Sequence, residues 1–96
     1  MKEFAKRFYK SVEWKRLRDN VIRRDYYICQ DCISKGILTP ADEVHHIIPV
    51  TSDNINDPSI TLNPNNLISL CRKCHKQRHL NKKRYFIGEN GEVVTD

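Results

Sequence analysis

The sequence predicts a small α+β domain assembled around bound metal, and three observations carry that expectation. The chain has 96 residues and a hydrophobic fraction of 39%, so it has room for one domain whose core is marginal without a staple. Its four cysteines fall as two Cys-x-x-Cys pairs, Cys29/Cys32 and Cys71/Cys74. Its four histidines also fall as two short pairs, His45/His46 and His75/His79. The expected layout is a single domain over residues 1–96, with a motif core over about 26–84.

Taken in order, Ser11 is placed to N-cap a leader helix running to about Arg24. Trp14, Leu17 and Val21 form its apolar stripe. Lys15, Arg16, Arg18, Arg23 and Arg24 cover much of the rest, and a solvated face and a phosphate-contacting face are equally good readings of them. Tyr26-Tyr27-Ile28-Cys29 reads as a strand entering a knuckle turn closed by Gly36. Thr39 to Asp42 reads as a turn. Glu43 to Val50 is rich in β-branched residues and reads as a strand stopped at Pro49. Thr51 to Asn66 is a polar loop with two prolines and five asparagines, and so long a loop is usually functional or mobile. Leu67 to Leu70 reads as a second strand. Arg72 to about Arg84 reads as a helix with a basic face that includes Lys76 and Arg78. The tail, about 85–94, reads as a packing hairpin turning at Asn90-Gly91.

Seventeen Lys and Arg stand against twelve Asp and Glu, a formal net charge of +5. A divalent ion on four thiolates removes two of those charges, and a second divalent ion restores them. Such a balance suits a polyanionic partner, although a merely soluble basic domain has the same charge. No apolar run matches a secretory leader, and none approaches the roughly 20 residues of a membrane span. The expectation is therefore a cytoplasmic protein with no membrane partner. Thiols there stay reduced, which favours metal over disulfides.

Two sites follow from the pairs. Two-residue spacing lets both sulfurs of a pair face one ion from a tight turn, and two such pairs complete a closed tetrahedral zinc site. A redox motif or four unrelated buried thiols are the weaker alternatives. His75 and His79, four apart on a helix, share one face and can ligate one metal. A third ligand from a facing strand leaves positions open for water and substrate, as a catalytic ion needs. Adjacent strand residues point to opposite faces, so one of His45 and His46 can ligate while the other deprotonates water. Any one of these histidines alone reads as a surface or capping residue; the pairing favours a site.

The run Val44-His45-His46-Ile47-Ile48-Pro49, then Asn66-Leu67, then Leu70-Cys71-Arg72-Lys73-Cys74-His75 with His79, resembles the HNH endonucleases of the ββα-metal class. Within that class it is similar to a four-cysteine phage subgroup often encoded beside packaging genes. Phe8-Tyr9-Lys10-Ser11 through Trp14-Lys15-Arg16-Leu17-Arg18 is similar to that subgroup's leader helix. The resemblance spans roughly residues 8–84, and its specificity comes from the ordered combination.

The resemblance implies roles. His46 is the expected general base, and Asn66 orients that base or braces the loop. His45, His75 and His79 are the expected ligands of the catalytic ion. Cys29, Cys32, Cys71 and Cys74 match the structural zinc. Many four-cysteine members carry Asp where this chain has His45. Carboxylate suits Mg²⁺, while imidazole suits Zn²⁺, Ni²⁺ or Mn²⁺, so the choice among these ions is open. The implied activity is hydrolysis of DNA phosphodiesters in the cytoplasm of a host cell. Phosphates are expected on Arg78, Lys76, Lys15 and Arg18, and phage terminase or other packaging proteins are the implied partners. Two other readings stand beside it: a non-catalytic zinc module that binds DNA or protein, and a nuclease subunit active only with partners.

Overall fold

The computed structural model describes residues 3–80, 85–87, 91 and 93–95. Helix α1 spans Glu3–Tyr9, α2 Val12–Arg24 and α3 Gln30–Ile33; strand β1 spans Glu43–His46. Helix α4 spans Pro58–Thr61, a 3₁₀ turn Pro64–Asn66, β2 Leu67–Leu70 and α5 Arg72–Leu80. Strands β3, Tyr85–Ile87, and β4, Val93–Thr95, form the tail hairpin. β1 and β2 are antiparallel, with His45 opposite Ile68 and His46 opposite Leu67. The small α+β class expected from the sequence is the class observed, and β1, β2 and α5 make its ββα unit.

Ser11 caps α2 as expected: its extended backbone lets Oγ accept from the Trp14 N–H at 3.2 Å. The apolar stripe of α2 is buried as its spacing requires. Trp14, Val21 and Leu67 form one core cluster, flanked by Phe8, Tyr9, Leu17 and Val44. The cysteines build the second cluster, in which Cys29, Leu70, Cys71 and Cys74 are buried beside Cys32 and Ile68. Three of the eight buried apolar side chains among the described residues are thus cysteines of one four-sulfur group.

Four elements depart from the sequence expectations. Helix α1 was not expected; at seven residues it is too short to hold alone, and it is kept by the packing of Ala5, Phe8 and Tyr9. Tyr26 and Tyr27 are not a strand. Both lie in the left-handed region, at φ of 55° and 60°, because the chain reverses there to close α2. The Tyr27 N–H reaches back to the Ile22 carbonyl at 2.9 Å, the wrapping bond of a helix stop. Only Ile28 forms a bridge, to Pro40. β1 ends at His46 rather than Val50, since Asn66 takes over the next backbone groups. Its carbonyl accepts from Ile47 N–H at 2.9 Å, and its side chain binds both Ile48 N–H and Ile48 carbonyl. The polar loop is folded, with α4 capped by Asp57 and the 3₁₀ turn capped by Asn63. The expected helix beyond Leu80 falls at residues 81–84, outside the described residues.

Asp25 ties α2 to β2. It is buried and accepts from Arg24 Nε at 2.9 Å and from the Ser69 N–H at 3.0 Å. Burial pushes its carboxyl up, but Arg24 and Ser69 outweigh that and hold it below the usual range. Among the described residues, no helix is long and apolar enough to cross a membrane.

Candidate active site and metal centres

The sulfurs of Cys29, Cys32, Cys71 and Cys74 lie within 4.8 Å of one another. Cys29 and Cys32 flank the start of α3, and Cys71 and Cys74 flank the first turn of α5. Cys32 Sγ is 3.9 Å from Cys71 Sγ and 3.7 Å from Cys74 Sγ. Four thiolates around one zinc stand about 3.8 Å apart, given Zn–S bonds of about 2.3 Å. Burial raises the Cys29 thiol, yet hydrogen bonds from Cys71 and Cys32 bring it down to about 7. Burial and the neighbouring sulfurs push Cys74 up to about 12.

The second centre also draws on α5, through His75 and His79. One ring nitrogen from each of His45, His75 and His79 falls within 4.8 Å of the others. His75 and His79 present their Nε2 atoms to each other at 3.1 Å, a separation that two imidazoles on one ion adopt. The other nitrogen of His75, Nδ1, is 2.6 Å from Glu43 Oε1. A carboxylate there fixes the tautomer and aims Nε2 at the ion position. Burial first, then the electrostatic effect of the neighbouring His75, Arg78 and His79, lowers the His45 pKa to about 3. A neutral imidazole is the form a metal ligand requires.

His46 stands outside this group of three. It points across the strand onto Trp14, stacked at 4.9 Å and 20°, as alternation along a strand demands. Its Nε2 is 2.9 Å from the Thr61 carbonyl oxygen. A carbonyl only accepts, so Nε2 carries the hydrogen and Nδ1 carries the lone pair. Burial lowers the His46 pKa, against the raising effect of the Thr61 bond. Both strand histidines therefore stay neutral below the ordinary histidine value of 6.5. Because His46 ends the strand, it still reaches the cleft of about 350 Å³ that Tyr9, Glu43, His45, His75 and His79 also line.

Asn66 is fully buried, and its side-chain hydrogen bonds go to the loop rather than to His46. Its amide donates to Ile60 O at 2.7 Å and to Ile48 O at 3.2 Å, and its Oδ1 accepts from Ile48 N–H at 2.7 Å. It braces the loop, and through Ile60 it fixes the neighbouring Thr61 carbonyl that orients His46. Lys15, Arg18 and Lys76 are exposed. Arg78 is committed elsewhere, in a two-pronged pair with Asp31 at 2.7 Å on both prongs. The residues that sequence reasoning missed are Glu43, Tyr9, Thr61 and Asp31. Glu43 had a signal, lying two positions before His45 and so on the same strand face. Tyr9 and the Thr61 carbonyl had none, because contacts distant along the chain place them.

Comparison with known proteins gives this geometry its family. Residues 29–80 match the family model described as HNH endonuclease. The chain belongs to the HNH endonuclease family. Among its relatives is a probable HNH endonuclease of Lactococcus phage SK1, 39% identical over 77 residues, which is 80% of each chain. A similar solved structure is the HNH endonuclease of the deep-sea thermophilic bacteriophage GVE2 with manganese ion. It matches with a TM-score of 0.70 and 38% identity, covering 81% of this chain and 80% of that one.

Proposed function

We propose that this chain is a metal-dependent endonuclease that hydrolyses DNA phosphodiesters with a single ion and a histidine base. The observation that carries it is the division of labour among the four histidines. Three bring a ring nitrogen to one position, and the fourth binds the Thr61 carbonyl through Nε2 and turns the lone pair of Nδ1 towards Tyr9 and the cleft. In this reading His45, His75 and His79 hold the ion, and Glu43 orients His75. When bound, the ion supplies positive charge against the phosphoryl oxygens and the departing 3′ oxygen. His46 Nδ1 takes a proton from water as the water oxygen bonds to phosphorus and the P–O3′ bond breaks. The products carry 5′-phosphate and 3′-hydroxyl, the latter protonated from solvent. Asn66 and Thr61 keep His46 in register.

Cys29, Cys32, Cys71 and Cys74 hold a structural zinc in the same reading, within one domain spanning the chain. Lys15, Arg18 and Lys76 are exposed cations offered to backbone phosphates, Arg18 from a solvent-exposed pair with Asp19 at 3.6 Å, and Arg78 serves by bracing α5 against the knuckle. The phage origin of both relatives supports a setting in the cytoplasm of an infected cell. It is also the sole support for an association with terminase or other packaging proteins. A non-catalytic zinc module has no use for the histidine centre, and so is the weaker reading.

The test is nicking of supercoiled plasmid by protein stripped of its labile ion, then supplied with Mg²⁺, Mn²⁺, Ni²⁺ or Zn²⁺. Cleavage is expected only with added ion, with Mn²⁺ among the active ones. No nicking with any ion, in protein that keeps one zinc, would sink the reading. Glu43→Gln is expected to weaken Mn²⁺ binding at the histidine centre about 10–100-fold, measured by calorimetric titration. Unchanged affinity would show the Glu43–His75 pair to be a surface contact without a role.

A further inference from the structure

Tyr9 closes α1 at the edge of the same cleft. Its ring stands edge-on to Trp14, with centroids 5.3 Å apart, and to His46 at 6.1 Å. Its hydroxyl oxygen lies 3.5 Å from His46 Nδ1. That is long for an O–H···N hydrogen bond, but it suits two groups that share one water at about 2.8 Å from each. The atom on the His46 side is the one left unprotonated by the Thr61 bond, and the cleft beside it opens towards His45, His75 and His79. A phenyl ring would fill the aromatic box equally well, as Phe8 does beside it at 5.1 Å. The hydroxyl is the part of Tyr9 that packing leaves unexplained.

We propose that Tyr9 is a positioning residue for the attacking water, which it holds together with His46. The inference rests on the reading of His46 as the base. The water donates one hydrogen to His46 Nδ1 and the other to the Tyr9 oxygen. Both of its lone pairs are then free, and one points at phosphorus. In the step, the first hydrogen passes to His46 as the O–P bond forms and the P–O3′ bond breaks. Tyr9 keeps its own proton throughout. Burial, which pushes its hydroxyl pKa up, keeps it neutral. Helix α1, outside the ββα unit, in this way supplies part of the active site.

The experiment compares wild type, Tyr9→Phe and His46→Gln as full chains with zinc and Mn²⁺ on a duplex substrate. Loss of one oriented contact to a reacting water is expected to lower kcat about 10–100-fold in Tyr9→Phe. KM, Mn²⁺ affinity and the thermal midpoint are expected to stay at wild-type values. Wild-type kcat in Tyr9→Phe, with His46→Gln inactive, overturns the role of Tyr9 and leaves the base in place. A loss confined to KM, or one accompanied by a lower thermal midpoint, also overturns it, since those mark substrate binding or packing. Full activity in His46→Gln overturns the base assignment itself, and the water site with it.

Discussion

His46→Ala is expected to slow phosphodiester cleavage by roughly 10²–10⁴-fold, the usual contribution of a positioned general base. The Mn²⁺ affinity of the histidine centre should survive, because His46 is outside the three-histidine group. Stability should not survive intact. The ring is buried, stacks on Trp14 and binds the Thr61 carbonyl at 2.9 Å. Truncation opens a cavity and strands that carbonyl, at a cost of about 1–3 kcal/mol. His46→Gln is the cleaner companion, since its amide can still donate to Thr61 while offering no basic nitrogen. Plasmid nicking and thermal melts on both variants separate chemistry from folding. Nicking at the wild-type rate by either one would remove His46 from the mechanism.

The second large effect is expected at the cysteines. Cys74→Ala should abolish cooperative unfolding and release the structural ion, read by thermal melting and by metal content per chain. A structural zinc contributes about 10–16 kcal/mol to the folding of small modules, as much as the whole stability of a typical domain. Here the loss reaches further than the knuckle. Cys29, Leu70, Cys71 and Cys74 are themselves one of the two core clusters. Cys74 is also the neighbour of His75 on α5, and the Asp31–Arg78 pair clamps that helix to the knuckle. Loss of the sulfur centre should therefore scatter the histidine centre and end cleavage. A Cys74→Ala protein that melts like wild type and still nicks DNA would show that the four sulfurs are not the staple.

The sequence by itself determined the chemistry and its grouping. Two cysteine pairs and two histidine pairs at ligand spacing named every residue of both clusters, because a short interval on a turn or helix already constrains where side chains point. It determined α2, through the Ser11 cap and the Trp14–Leu17–Val21 stripe, and β2 and α5, whose signals are equally local. Tertiary structure decided the rest. The division between His45 and His46 depended on which strand face met α5 and which met Trp14. The tautomer of His46 depended on the Thr61 carbonyl, delivered by a loop that Asn66 folds. Arg78 was diverted from solvent by Asp31, and Tyr9 was brought to the cleft by a helix too short to announce itself. Each of these joins residues far apart along the chain. Periodicity and capping record only what a segment can do alone, whereas burial and hydrogen-bond partners arise when segments meet.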